Sequence, residues 1–211
     1  MERGTNSTTL ADLLPLSAKL YASAPAVCFK QDGEWVKRTY DEVQQTVRAL
    51  SLGLIDLGVA KGDKVSILAN TRPEWTYVDF AALSAGAVVV PIYQTNSPEE
   101  CQYVLENSDA KVVVVEDEEQ MEKIREVRGR LPLLEHVVRM TGTSDDAISF
   151  EDLAARGASR EAAEWEARWR SVTPEDICTF IYTSGTTGPP KGCIITTATT
   201  ARCWTWSRRT A

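Results

Sequence analysis

Thr179-Phe-Ile-Tyr-Thr-Ser-Gly-Thr-Thr-Gly-Pro-Pro-Lys-Gly192 concentrates more phosphate-binding features than any other stretch of the chain. Thr179 to Tyr182 read as a short buried strand of β-branched and aromatic residues. Behind it, four hydroxyls (Thr183, Ser184, Thr186 and Thr187) surround Gly185 and Gly188. The glycines allow a tight turn and a close backbone approach to an anion. Lys191 adds one cation, and no carboxylate interrupts the run. A polyphosphate needs that set: many donors, one charge that follows the phosphates, and no repulsion. The spacing differs from the Walker loop, because Pro189 follows Gly188 and Gly192, not Ser or Thr, follows Lys191.

Upstream, strands alternate with helices. Thr9 caps a helix from Leu10 to about Ser23, with Pro15 near its start. Ala26 to Lys30 and Glu34 to Thr39 flank Gln31-Asp32-Gly33, a hairpin turn. Val43, Val47, Leu50, Leu54 and Leu57 give Tyr40 to Leu57 an amphipathic helical period, ended by Gly58. Val65 to Ala69, Ala87 to Val90 and Lys111 to Val115 read as apolar strands, with Pro91 marking the exit of the second. Between them lie a helix opened by Pro73 and running to about Ser84, and one opened by Ser97-Pro98-Glu99-Glu100 and running to Asn107. Asp117 to Arg128 is a charged helix leading to Val137-Val138. Thr141 to Asp146 reads as a loop, and Phe150 to Arg170 as one helical region whose Trp165 and Trp169 share a face for packing. The fold class that follows is α/β, a mostly parallel, doubly wound sheet flanked by helices, with a small hairpin near the start.

The 211 residues suffice for one domain with a substantial core. A net charge of −7 argues against a nucleic-acid partner and for small molecules. No apolar run reaches the length of a membrane span, and Met1 to Thr9 lacks the apolar core of a signal peptide. The expected location is cytoplasmic, either free or peripheral to a membrane. Cys28, Cys101, Cys178, Cys193 and Cys203 have no close spacing that suggests a metal knuckle or redox pair. His136, the one histidine, is expected at an exposed position beside a short strand, with no catalytic partner.

Tyr182-Thr-Ser-Gly-Thr-Thr-Gly-Pro-Pro-Lys-Gly192 is similar, position by position, to the signature of the adenylate-forming enzymes, the superfamily of acyl-CoA synthetases, luciferases and peptide-synthetase adenylation domains. Gly33-Glu-Trp35, Thr39-Tyr-Asp-Glu42, Ile67 to Trp75 and Val90 to Glu100 resemble the amino-terminal part of bacterial long-chain fatty-acid-CoA ligases. The resemblance covers residues 10 to 196, a partial AMP-binding domain behind a flexible segment 1–9. It implies a two-step reaction on ATP, a fatty acid and CoA. It also implies that Thr183, Ser184, Gly185, Thr186, Thr187, Gly188 and Lys191 bind the phosphates, with Thr183 near Mg²⁺. The family's adenine pocket, fatty-acid tunnel, ribose-binding aspartate, magnesium glutamate and adenylation lysine come from later segments. The expectation is therefore a fragment that carries the phosphate loop and does not complete the reaction alone. The alternative is a non-catalytic phosphate-binding or interaction remnant, prone to self-association through uncovered sheet.

Beyond Thr196 the family pattern stops between two residues. Thr197 to Ala211 has no apolar periodicity, and it combines two tryptophans with three arginines. Back-translated with GC-rich codons, and with one cytosine restored after the codon for Thr196, the segment reads Thr-His-Gly-Asn-Tyr-Arg-Ala-Met-Leu-Asp-Met, in which the family's Thr-His-Gly-Asn reappears, followed by a plausible helix. Residues 197–211 are accordingly expected to be a frameshifted, disordered tail.

Overall fold

The computed structural model describes residues 4–183 and 189–198. The expectations for Ser184 to Gly188 and for 199–211 lie outside the described residues.

Capping sets the helix starts. α1 (Leu10–Tyr21) and α2 (Tyr40–Asp56) each open on a reciprocal box, Thr9 with Asp12 and Thr39 with Glu42. Between them β1 (Pro25–Gln31) and β2 (Glu34–Thr39) form a separate antiparallel hairpin. Its turn holds Asp32 at φ 52° and Gly33 at φ 87°, the left-handed pair whose twist matches that of the strands. The chain then winds through β3 (Lys64–Leu68), α3 (Pro73–Ser84), β4 (Val88–Ile92), α4 (Pro98–Asn107), β5 (Ala110–Val115), α5 (Glu118–Val127) and β6 (His136–Arg139). It continues with β7 (Ile148–Ser149), α6 (Phe150–Ala158), α7 (Ala162–Arg170), β8 (Ile177–Thr183) and β9 (Lys191–Thr196).

The main sheet has the order β7-β6-β5-β3-β4-β8-β9, parallel throughout except for the β8–β9 pair. Side chains alternate between two apolar layers. Val65, Ile67, Val112 and Val114 meet α2, α3 and α6 on one face; Leu68, Val113 and Val115 meet α4 and α5 on the other. Trp165 and Trp169 of α7 are buried in a third cluster beside α2, with the Trp165 indole N–H donating to Ser84 Oγ at 3.0 Å. At the α2–α6 crossing Gly53 and Gly157 let the two backbones touch.

Several expectations change. Pro91 lies inside β4, opposite Ile67, and does not end it. Pairing of β4 with β8 is confined to Val89 and Thr179, so beyond that point one side of β4 has no ladder to lose. The Phe150 to Arg170 region is two helices, broken at Ser159 and Arg160, and β7 is a short strand that its polar surroundings concealed. His136 opens β6 half-buried, its Nε2 3.2 Å from the Leu57 carbonyl oxygen. The sheet expected to be uncovered is not so at Val112 to Val115, which are fully buried within this chain. The strand that is less covered than expected is β8, where Cys178 alone is buried, and its neighbour β9 exposes Ile194 at 61%. These two strands lie beyond β4, at the end of the sheet.

Candidate functional site

The winding determines where a ligand fits. From β3 the chain leaves to α3 on one face of the sheet, and from adjacent β4 it leaves to α4 on the opposite face. Divergence of two neighbouring exits opens a crevice at the carboxyl ends of the strands. A cleft of about 600 Å³ lies there, walled by Asn70 and Thr71 after β3, Tyr93 and Gln94 after β4, Trp75 of α3, and Ile181 and Tyr182 of β8. Ile181 and Tyr182 of β8 line this cleft together with Ile92 and Tyr93 at the β4 exit. Its lining is mixed: aromatic and aliphatic surface with amide and hydroxyl groups, suited to an amphiphilic small molecule.

A polar cluster fixes the β3 side of this cleft. One oxygen of Glu116, just past β5, accepts from the Asn70 backbone N–H at 2.6 Å and from its side-chain amide at 2.9 Å. The other accepts from Arg72 at 3.3 Å, and Arg72 also donates to Glu74 at 2.6 Å and to Thr141 Oγ at 3.1 Å. Burial raises the Glu116 pKa, but the Asn70 hydrogen bonds and the Arg72 charge together outweigh it and hold the carboxyl below its usual range. Arg72 is shifted upward, chiefly by its bond to Glu74. Sequence reasoning took Asn70 to Glu74 as scaffold, and nothing local to it announces Glu116 or Thr141, which arrive from two other strand exits.

The hairpin of β8 and β9 brings the two described ends of the glycine-rich segment together. Thr183 pairs with Lys191, and Tyr182 with Gly192. Gly192 packs closely under Tyr182: a β-carbon there would lie 3.2 Å from the ring, which would have to shift by a few tenths of an ångström. Thr183 and Lys191 are both exposed. Lys191 makes no ion pair or hydrogen bond among the described residues, so its charge is open to a ligand. Ser184, Gly185, Thr186, Thr187 and Gly188 lie outside those residues. No group of three or more His, Cys, Asp or Glu among the described residues could hold a metal ion, and Thr183 alone supplies one neutral oxygen. No helix among them is long and apolar enough to cross a membrane.

Comparison with known proteins follows the same outline. The family model described as "AMP-binding enzyme" matches residues 15–210. The long-chain-fatty-acid–CoA ligase FadD15 of Mycobacterium bovis is 44% identical over 165 residues, covering 78% of this chain and 27% of that protein. The long-chain-fatty-acid–CoA ligase ACSBG2 of Xenopus laevis is 32% identical over 191 residues, 89% of this chain and 26% of its own length. Among solved structures, the anthranilate CoA ligase AuaEII in complex with anthranoyl-AMP superposes with a TM-score of 0.77 at 31% identity, over 89% of this chain and 34% of the other. The chain thus spans about a quarter of the length of the curated relatives that it matches.

Proposed function

Because this chain belongs to the AMP-binding enzyme family, we propose that it is the phosphate-loop portion of a long-chain fatty-acid-CoA ligase, binding ATP without completing the reaction alone. The observation that carries this reading is the β8–β9 hairpin, which puts Lys191, exposed and with no side-chain partner among the described residues, opposite Thr183 at the carboxyl edge of the sheet, beside an amphiphilic cleft. In this reading the amides and hydroxyls of Thr183, Ser184, Gly185, Thr186, Thr187 and Gly188 receive the β- and γ-phosphates, and Lys191 neutralises them. The fatty carboxylate attacks the α-phosphorus, the bond to pyrophosphate breaks, and acyl-adenylate forms. The CoA thiolate then attacks the acyl carbon and AMP leaves. Charge building on the phosphoryl oxygens is what the loop's preorganised donors stabilise.

Mg²⁺ belongs to this chemistry in the family, with Thr183 the residue nearest to it. The described residues do not make a site for it, since one hydroxyl is far short of the ion's octahedral oxygen set.

The domain division proposed is a leading segment 1–9, the partial AMP-binding domain 10–196, and a frameshifted tail 197–211. The break in the family pattern at Thr197 supports the tail assignment, and the family model's match through residue 210 opposes it. The location proposed is the cytoplasm, free or peripheral to a membrane. Self-association through β9 follows from its exposed Ile194 at the end of the sheet.

The test is an assay of the purified chain and its Lys191→Ala variant for ATP binding and ATP-dependent acyl-CoA formation. Binding that depends on Lys191, without turnover, is the expected result. Turnover refutes the inactive-fragment reading, whereas phosphate binding without ATP selectivity favours the non-catalytic remnant.

A further inference from the structure

We propose that α4 is a positioning helix for the phosphate hairpin, with Tyr103 and Asn107 each holding one arm of it, on either side of residues 184–188. This rests on the reading of that segment as phosphate-binding. Four observations lead to it. The ladder of β8 to β4 is the Val89–Thr179 pair, short of the segment from Phe180 to Thr183. Its other neighbour, β9, is the last strand of the sheet among the described residues. Near the carboxyl end of β8 the Tyr182 hydroxyl donates to Asn107 Oδ1 at 2.8 Å. Across the segment, the Tyr103 hydroxyl donates to the Pro190 carbonyl at 2.9 Å.

Tyr103 and Asn107 stand four apart, so one helix face serves both arms. The Tyr103 and Tyr182 rings meet edge to face, with centroids 6.4 Å apart and planes at 87°. Gly192, directly across from Tyr182, leaves room for that ring. α4 is in turn anchored by the Ser97–Glu100 capping box and by buried Cys101, Val104 and Leu105. Both arms of the hairpin are thus tied to a helix packed on the core. A loop whose arms are fixed before binding loses less freedom when the ligand arrives.

The test measures hydrogen exchange and ATP affinity in Tyr103→Phe, Tyr182→Phe and Asn107→Leu variants of this chain. Each variant removes one hydrogen bond, so exchange at the amides of Tyr182, Thr183, Lys191 and Gly192 should quicken about threefold to tenfold. Amides of β3 and β5 and the melting temperature should stay at parent values. Tyr182→Phe combined with Asn107→Leu should exchange no faster than either alone, because both delete the same bond. The dissociation constant for ATP should rise by a similar factor in each single variant. Unchanged exchange at the hairpin overturns the proposal, as does quickening that spreads to β3 and β5 with a fall in melting temperature. A parent chain that binds no ATP refutes the phosphate-loop reading instead; the exchange data then decide by themselves whether α4 holds the arms.

Discussion

Gly157→Ala tests the helix packing beneath the sheet. At the α2–α6 crossing, a β-carbon on Gly157 would lie 1.8 Å from the Ala49 carbonyl oxygen and 2.6 Å from the Gly53 backbone nitrogen. Both are backbone atoms, so no rotamer change relieves the overlap. Restoring van der Waals separation requires the helices to part by roughly 1.6 Å, and a gap of that size forfeits much of the attraction between the facing surfaces. Leu50, Leu54 and Leu153, all buried at this junction, lose contact as the helices part. Overpacking of this kind costs about 3 kcal/mol, the upper part of the usual range. The better helix propensity of alanine returns about 1 kcal/mol. The net loss is about 2 kcal/mol, which lowers the melting temperature by about 4–8 °C in a domain of this size. Thermal unfolding followed by circular dichroism measures it, with Gly129→Ala as control, since a β-carbon there meets nothing within 4 Å. Equal melting temperatures for Gly157→Ala and the parent would refute the close crossing.

Asp79 of α3 makes no hydrogen bond or ion pair among the described residues, and burial pushes its carboxyl up to about 7. Between the unfolded value near 4 and that folded value the folded chain holds the extra proton, so stability should fall as pH climbs from about 4 to 7, by at most about 4 kcal/mol, and level off above. Denaturant midpoints across that range should decline for the parent and flatten for Asp79→Asn; matching slopes would exclude the residue. Ile194, 61% exposed on β9, should make the chain bind an environment-sensitive hydrophobic dye and self-associate. Ile194→Lys should reduce both in fluorescence and sedimentation, and a parent that is monomeric and dye-free would contradict this. Sequencing the DNA through the codon for Thr196 and about a kilobase beyond should find a downstream frame encoding more of an AMP-binding enzyme; unrelated sequence in every frame refutes the frameshift.

Local signals carried most of the fold. Thr9 and Ser97 announced two helix starts, and the structure closes a capping box at each, as it also does at Thr39. Asp32-Gly33 announced the hairpin, and the valine-rich runs announced β3, β4 and β5. What stayed hidden is set by neighbours distant in sequence. Pro91 reads as a stop until β8 is known to pair with β4 at a single residue, and what covers Val112 to Val115 is not visible until α2, α6, α4 and α5 are placed. In the candidate site, Thr183 and Lys191 were legible from the motif. The meeting of Asn70 and Arg72 with Glu116 was not, because it depends on strand order, which a linear pattern does not encode. The hold of Tyr103 on Pro190 spans 87 residues and has no sequence signature.

Calorimetric titration of ATP into the chain and its Lys191→Ala variant tests the phosphate-loop reading most directly. Lys191 is exposed at the start of an edge strand, so the substitution should leave the melting temperature unchanged and act through the ligand alone. The parent should bind ATP, and the variant should bind it about tenfold more weakly, the loss expected for one charge-assisted contact. Equal binding by the two proteins, or no detectable binding by a folded parent, would contradict the assignment of this hairpin as a triphosphate site.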